Sequence, residues 1–259
     1  MLAIFDIDGV IRDVGGSYRR AIADTVETFT QGAYRPSLTD IDQLKAEGLW
    51  NNDWEASREL ILRYWFLQGR DREAITLDYT QVIDFFQSRY RGTDWDGYIA
   101  QEPLLVDAGY FQTLTTAGIA WGFFSGATRG SAEYVLVKRL GLVEPVLQAM
   151  EDAPGKPDPT GMLRAIAQLE AREGLPPQQP VIYAGDTVGD MQTVARARAE
   201  HPQRLWLGVG LLPPHVQAAA ARIPIYTEQL RQAGAAVVLS RVTDLTPARM
   251  RDLVAAGTP

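Results

Sequence analysis

The chain has 259 residues, a formal charge of −7 and no cysteine, and these values exclude several classes of protein. Without cysteine, neither a disulfide framework nor a cysteine-ligated zinc site can form. A net negative chain with scattered arginines argues against nucleic-acid binding, which depends on neutralising phosphates. Its longer apolar runs, such as Gly118–Phe124 and Leu205–Leu212, fall well short of the roughly 20 residues that a membrane helix needs. We therefore expect a soluble protein that acts on small molecules.

The chain begins with a predicted strand and then leaves any strand pattern. Leu2–Asp6 is a short apolar run that ends at a turn marked by Gly9, which is typical of a buried strand in a parallel sheet. The interval from about Val14 to Gln101 is rich in helix formers and shows no convincing strand. Its apolar and aromatic stripes predict helices at Tyr18–Thr30, Ile41–Glu47, Glu55–Leu67 and Asp71–Tyr90.

Beyond this interval, apolar runs alternate with helical patterns. Strands are predicted at Ile119–Ser125, Val181–Gly185, Leu205–Val209 and Ala236–Leu239. Helices are predicted at Ala108–Ala117, Ser131–Leu140, Gly161–Arg172 and Val188–Arg198. This alternation predicts an α/β fold, a doubly wound, Rossmann-like parallel sheet with helices on both faces. We expect a core domain of residues 1–14 and 103–259, with a helical domain of residues 15–102 inserted after the first strand.

Two adjacent asparagines, Asn51 and Asn52, are the only asparagines in the chain and lie inside the helical insert. Asn52 or Asp53 is suited to cap a helix that begins near Trp54. Alternatively, the helix N-terminus and the amide side chains would bind a polar ligand, on which Trp54 would stack. The sequence leaves both interpretations open, a helix cap or a substrate contact by Asn51 or Asn52.

Polar residues recur just after predicted strands and in one turn that leads into a helix. They are Asp6, Asp8, Ser125, Gly126, Lys156, Asp186 and Asp190. Each has an ordinary alternative as a turn residue, a surface lysine or a first-turn acid. However, ligands of open α/β sheets bind beyond the carboxyl ends of the strands, so these side chains are expected to converge. The chain has only three lysines. A lysine at position 156, in a turn between the acidic clusters of the sequence, is therefore less easily explained by chance.

A convergence of carboxylates has a chemical meaning. The acids would repel one another unless a cation joined them, and hard oxygen ligands of this kind suit Mg²⁺ together with a substrate phosphate. An ionised aspartate such as Asp6 can attack phosphorus and form an aspartyl-phosphate when the phosphoryl charge is neutralised. Lys156 and Mg²⁺ would neutralise that charge. Asp8, two residues further on, could protonate the leaving alkoxide and then deprotonate water.

The ordered segments FDIDGV, FFSGATRG, GKPDP and YAGDTVGDM resemble the four motifs of the haloacid dehalogenase superfamily. The helical insert resembles the C1 cap of its subfamily I, so the resemblance covers nearly the whole chain. It implies Asp6 as nucleophile, Asp8 as acid and base, and Ser125, beside Gly126, with Lys156 as phosphate ligands. It further implies Mg²⁺ bound by Asp6, Asp186 and the main-chain carbonyl of Asp8, with Asp190 near the metal or holding its waters.

Three functions are compatible with these motifs. The first is a Mg²⁺-dependent phosphatase acting on a small phosphate ester, favoured because dehalogenases and phosphonatases of the family lack the second acid, Asp8. The second is a phosphomutase of the β-phosphoglucomutase type, and the third is a non-catalytic binding module, against which the intact acidic set argues. No charged and apolar leader precedes Asp6, so we expect a cytoplasmic protein. The sequence indicates neither the substrate nor the oligomeric state.

Overall fold

The computed structural model describes residues 1–50 and 52–257. By its contacts the chain divides into two compact units, one of Met1–Asp13 with Leu104–Pro259 and the other of Val14–Pro103. Within the described residues, no helix combines the length and the apolar character needed to cross a membrane.

The first unit is built on a six-stranded parallel sheet. Its strands are β1 (Leu2–Phe5), β2 (Ala120–Phe124), β3 (Leu147–Gln148), β4 (Val181–Gly185), β5 (Trp206–Leu211) and β6 (Ala235–Leu239). They lie in the order β3-β2-β1-β4-β5-β6, and each neighbouring pair is parallel. The chain therefore moves from β1 outward to β3 and then returns to the opposite side of β1. This confirms the predicted doubly wound α/β fold and places its switch point between β1 and β4.

The described residues of the second unit form four α-helices. They are α1 (Tyr18–Phe29), α2 (Leu38–Ala46), α3 (Asp53–Leu67) and α4 (Tyr79–Tyr90). The buried face of α1, which includes Ile22 and Val26, packs against α3 and α4. Ser37 begins α2 with a capping box that Asp40 closes. The described residues of this unit form no strand.

The predicted helix over Asp71–Tyr90 is wrong in its first half. A 3₁₀ turn covers Arg72–Ala74, and α4 begins only at Tyr79. Asp78 sets this start, because its Oδ1 accepts hydrogen bonds from the backbone N–H groups of Thr80 and Gln81 at 2.9 and 3.3 Å. The apolar stripe runs through the interruption, so periodicity alone does not reveal the boundary.

The described residues of the first unit form seven further α-helices. They are α5 (Ala108–Thr116), α6 (Arg129–Glu133), α7 (Thr160–Glu173), α8 (Val188–Glu200), α9 (Pro214–Gln217), α10 (Arg222–Gln232) and α11 (Pro247–Gly257). α6 continues as a π-helical segment over Tyr134–Arg139, so the predicted helix Ser131–Leu140 is two segments. Sequence reasoning missed β3 and α9–α11. Leu230 is the one fully buried residue of α10 and Met250 that of α11, which leaves little apolar periodicity to detect.

The central strand β1 is buried on both faces. Leu2 and Ile4 join a core with Ile166 of α7 on one side. On the other side, the Phe5 ring meets the Phe111 ring edge to face, with centroids 5.7 Å apart. Because side chains alternate across a strand, this packing fixes both faces of β1. The residue that follows β1, Asp6, is therefore held on a rigid element.

Candidate active site

Two acidic side chains lie at the carboxyl ends of the neighbouring strands β1 and β4. Asp6 and Asp186 follow these strands directly, and each is only 6% exposed. The backbone N–H of Asp6 donates to the carbonyl of Ala184 at 2.9 Å, so strand pairing itself places Asp6 beside β4. Together with Asp190 they form a group in which one carboxylate oxygen of each residue lies within 4.8 Å of the others. Among the described residues, these three acids form the group whose carboxylate oxygens lie close enough together to bind one metal ion.

Lys156 lies between two of these acids. Its Nζ is 2.8 Å from Asp6 Oδ1 and 2.6 Å from Asp190 Oδ1. The ring centroids of Phe124 and Tyr183 lie 5.4 and 5.6 Å from the same nitrogen. Burial alone would lower the pKa of Lys156, but Asp190 and Asp6 outweigh it and raise the pKa above the ordinary lysine value. Lys156 therefore brings a permanent positive charge to Asp6.

Asp6 is held in a setting that opposes its ionisation. Burial, the largest cause, raises the pKa of Asp6 to about 7; Lys156 opposes this, while Asp190 and Asp8 add to it. A cation bound beside Asp6 would favour the charged form and relieve the repulsion between acids. The hard carboxylate oxygens of Asp6 and Asp186, converging in one buried group, fit the ligand preference of Mg²⁺.

Asp190 is completely buried, and both of its carboxylate oxygens accept hydrogen bonds from the protein. Oδ1 accepts from Lys156 Nζ at 2.6 Å and from the Tyr183 hydroxyl at 2.9 Å. Oδ2 accepts from the backbone N–H and the hydroxyl of Thr187 at 2.9 and 2.7 Å. Burial alone would raise the pKa of Asp190, but Lys156 and Thr187 outweigh it and lower the pKa. These four contacts hold the Asp190 carboxylate in place, and its predicted role near the metal or in holding the metal's waters stays a prediction.

Asp8 lies outside the group of three acids and pairs with Arg12. Nε and Nη2 of Arg12 lie 2.7 and 2.6 Å from Asp8 Oδ1. The Arg12 side chain is 1% exposed, whereas that of Asp8 is 27% exposed. A buried guanidinium thus orients an accessible carboxylate two residues after Asp6. Metal binding by the main-chain carbonyl of Asp8 stays a prediction.

Ser125 and Gly126 follow β2, the neighbour of β1. The Ser125 N–H donates to the carbonyl of Gln148 at 3.0 Å, which fixes its backbone against β3. Its hydroxyl oxygen accepts from the N–H of Ala127 at 3.1 Å, so Ser125 also has the turn role that the sequence allowed. Gly126 is exposed. The Ser125 hydroxyl proton takes no part in the turn contact and could be donated to a phosphate oxygen.

Several residues that build this site were missed from the sequence. The backbone of Gly9 has a φ of +72°, and a Cβ there would lie 2.1 Å from Asp186 Oδ2, so only glycine lets Asp186 approach the loop. The Tyr226 hydroxyl, from α10, donates to the Asp186 carbonyl at 2.9 Å. Thr187 closes a capping box with Asp190, and their three-residue spacing is a signal that sequence reading could have used. Tyr183 was visible as the one hydroxyl in the buried strand VIYAG.

The asparagine pair is partly described. Asn51 lies outside the described residues. Asn52 is the N-cap of α3, and its Oδ1 accepts from the N–H groups of Trp54 and Glu55 at 2.9 and 3.3 Å. The helix-cap interpretation of Asn52 therefore has a geometric basis. Because Oδ1 takes part in the cap, a substrate contact by Asn52 would be made by its Nδ2.

Comparison with protein families identifies the class of this chain. A sequence model of the haloacid dehalogenase-like hydrolase family matches residues 1–198. The chain therefore belongs to the haloacid dehalogenase-like hydrolases, as its four motifs predicted.

Solved structures share the fold. A phosphonoacetaldehyde hydrolase-like protein from Oleispira antarctica superposes with a TM-score of 0.66 and 19% sequence identity, covering 100% of this chain and 95% of that one. A β-phosphoglucomutase from Clostridium difficile superposes with a TM-score of 0.63 and 14% identity, covering 98% and 97% of the two chains. At these identities the likeness establishes the fold alone.

A curated relative extends beyond the present sequence. The chain is 30% identical over 257 residues to an imidazoleglycerol-phosphate dehydratase from Phytophthora nicotianae. The match covers 95% of this chain and 52% of that protein. The chain thus spans about half the length of the curated relative it matches.

Proposed function

We propose that this hydrolase is a Mg²⁺-dependent phosphatase that cleaves small phosphate monoesters through an aspartyl-phosphate at Asp6. The observation that carries the proposal is the convergence of Asp6, Asp186 and Lys156 at the switch point of the sheet. Asp6 and Asp186 would bind Mg²⁺, together with the main-chain carbonyl of Asp8. The bound ion would neutralise phosphoryl charge and align the phosphorus with the nucleophile.

The first half-reaction uses Asp6 and Asp8. A carboxylate oxygen of Asp6 attacks phosphorus, and the bond between phosphorus and the ester oxygen breaks. Lys156 and Ser125 bind the phosphoryl oxygens as charge moves onto them. Asp8 donates its proton to the departing alkoxide, which leaves as an alcohol. Arg12 holds Asp8 in place during this transfer through contacts of 2.6–2.7 Å.

The second half-reaction regenerates the enzyme. Asp8, now ionised, accepts a proton from a water molecule that attacks the phosphorus of the aspartyl-phosphate. The bond between phosphorus and the Asp6 oxygen breaks, which releases inorganic phosphate and restores the Asp6 carboxylate. Arg12 keeps the Asp8 carboxylate in place in this step as well, through the same two contacts with Oδ1.

A screen of phosphate esters tests the proposal. Purified protein with Mg²⁺ is incubated with phosphorylated sugars, phosphoglycolate, nucleotides and amino-alcohol phosphates, and released phosphate is measured. We expect one class to be hydrolysed well above the others. Following glucose 1-phosphate by ³¹P NMR separates the mutase alternative, because a mutase would yield an isomeric sugar phosphate instead of free phosphate. Absence of both products over the whole panel would contradict the proposal.

The name of the curated relative suggests where the screen should begin. That protein is named for a dehydratase of an imidazole-bearing glycerol phosphate. Loss of water from such a compound leaves the phosphate ester intact, so a later phosphatase in the same reaction sequence would have an ester to hydrolyse. We therefore place phosphate monoesters of imidazole-bearing alcohols first in the panel.

Asp8→Asn should separate the two half-reactions. Acid catalysis is typically worth about 10²–10⁴-fold, so turnover of an alkyl phosphate should fall by roughly that factor. With p-nitrophenyl phosphate the leaving group needs no proton, so Asp6 can still be phosphorylated, but no base then activates water. The phosphorylated protein should accumulate and be detected by mass spectrometry after acid quenching. Asp6→Asn serves as the matched control and should show no phosphoryl adduct; an adduct in that variant would contradict the assignment.

Asn52→Ala distinguishes helix capping from substrate contact. Loss of the cap should lower the free energy of unfolding by about 1 kcal/mol. Asp78→Ala is a matched control, because Asp78 caps α4 with contacts of the same two lengths, 2.9 and 3.3 Å. Both variants should melt earlier and should turn over p-nitrophenyl phosphate normally. A selective loss of kcat/KM for the substrate found in the screen, seen in Asn52→Ala alone, would establish the substrate contact proposed for this loop.

A further inference from the structure

The hydroxyl of Tyr183 takes part in a buried network that the proposed steps do not use. Tyr183 is fully buried in β4, and its hydroxyl donates to Asp190 Oδ1 at 2.9 Å and lies 3.3 Å from the carbonyl oxygen of Phe124. Gly185, two residues along the same strand face, makes room for this contact. A Cβ at Gly185 would lie 2.4 Å from Asp190 Cγ. β4 therefore supplies the hydrogen-bond donor at Tyr183 and leaves space for its acceptor, Asp190, at Gly185.

Asp190 Oδ1 is shared between this hydroxyl and Lys156. Lys156 Nζ lies 2.6 Å from that oxygen and 2.8 Å from Asp6 Oδ1, so two carboxylates compete for one ammonium group. A hydrogen bond from Tyr183 reduces the negative charge that Asp190 presents to Lys156. It also fixes the carboxylate, whose other oxygen is already held by Thr187. The way in which Asp6 and Asp190 share the ammonium group therefore depends on the Tyr183 hydroxyl, which donates to Asp190.

We propose that Tyr183 is a positioning residue that, through Asp190, keeps the Lys156 ammonium group directed at Asp6 and at the phosphoryl group. The part of this inference that concerns phosphate binding rests on the proposed phosphatase function. The part that concerns the position of the Lys156 ammonium group does not depend on that function. Without the hydroxyl, Asp190 Oδ1 has Lys156 as its remaining donor and draws the ammonium group away from Asp6.

Tyr183→Phe and Tyr110→Phe form a matched pair. Each substitution removes one oxygen from a tyrosine of the same unit, and the Tyr110 hydroxyl donates to the carbonyl of Leu245 at 3.0 Å, outside the site. Both variants should lose comparable thermal stability. In the presence of Mg²⁺, the inhibition constant of inorganic phosphate should rise about tenfold in Tyr183→Phe, the effect of weakening one charge-assisted contact. It should be unchanged in Tyr110→Phe.

Lysine NMR gives a readout that needs no activity. The chain has three lysines, so ¹⁵N-lysine labelling yields few side-chain signals, and substitution of Lys45 and Lys138 assigns that of Lys156. In metal-free protein the Lys156 signal should shift in Tyr183→Phe and not in Tyr110→Phe. An unmoved signal, or equal changes of phosphate affinity in the two variants, would overturn the proposal. A wild-type protein that releases no phosphate would refute the proposed function instead, and the NMR comparison would still decide whether Tyr183 positions Lys156.

The link through Asp190 has its own test. In an Asp190→Asn background, Tyr183→Phe should cause no further shift of the Lys156 signal, because the acceptor through which Tyr183 acts has lost its charge. The comparison also covers the case in which Tyr183→Phe alone folds poorly. The Lys156 signals of the Asp190→Asn protein and of the double variant are then compared at temperatures equally far below their respective melting temperatures. An additional shift of the same size as in the wild-type background would show that Tyr183 does not act through Asp190.

Discussion

Asp6→Asn should abolish phosphate release while the protein remains folded. The amide keeps the shape of the side chain and removes the anion that attacks phosphorus, so turnover should fall by roughly 10³-fold or more, as for loss of other enzyme nucleophiles. Released phosphate, measured with the best ester from the screen, gives the effect. Glu170→Gln is the control, because it breaks the ion pair with Arg204 in the same unit and should leave turnover unchanged. Near wild-type turnover in Asp6→Asn would disprove the mechanism.

The same variant should be more stable than the wild type at neutral pH in metal-free protein. Burial raises the pKa of Asp6 from 3.8 to about 7. The protonated form therefore contributes stability below about pH 4, and this contribution is lost as the pH rises towards 7. Asparagine cannot ionise, so the difference in melting temperature in favour of Asp6→Asn should grow from pH 4 to 7 and stay constant above it. A constant difference over that range would show that Asp6 ionises normally. A nucleophile that destabilises its own fold is a common feature of enzymes.

The sequence predicted the central part of this molecule well because its signals are local. β1 and β4 are short, fully buried apolar runs, and each is followed at once by an acid, Asp6 or Asp186. Parallel pairing then brings the carboxyl ends of the two strands together without any further information. At the edges of the sheet the signal is weaker. β3 has only two residues and was missed, whereas β6 was predicted at Ala236–Leu239 although most of its residues are only partly buried.

The partners within the site were harder to predict because they depend on tertiary contacts. The motif placed Asp190 near the metal, which stays a prediction, and did not indicate that its side chain accepts hydrogen bonds from three residues, among them Tyr183 and Lys156. Tyr226 comes from α10, a helix with a single fully buried residue, so neither the helix nor the contact was foreseen. The structure also pairs Arg12 with Asp8, a contact that the sequence motifs did not indicate. The spacing of residues in a motif indicates which side chains lie close together. It does not indicate which of their atoms already take part in hydrogen bonds with other residues.

Removal of Mg²⁺ should abolish activity, and Asp186→Ala should have the same effect in the presence of the ion. Asp186 is 6% exposed, and its carboxylate lies within 4.8 Å of those of Asp6 and Asp190. Chelation with EDTA should stop phosphate release and added Mg²⁺ should restore it. Ca²⁺ should inhibit, since its longer bonds and larger coordination number displace the nucleophile from phosphorus. Full activity after exhaustive chelation would rule out the metal-dependent mechanism.

Binding of the ion can be followed apart from activity by titration calorimetry. Because burial raises the pKa of Asp6 to about 7, protons compete with Mg²⁺ for this carboxylate, and the affinity should weaken by about tenfold per pH unit below pH 7. Above pH 7 it should be constant. Asp186→Ala should bind Mg²⁺ far more weakly at every pH, whereas Asp244→Ala, which removes an acid from a surface pair with Arg241 in the same unit, should bind it normally. Equal affinity in the wild type and Asp186→Ala would mean that the ion binds elsewhere, and the roles of both strand-end acids would then have to be reassigned.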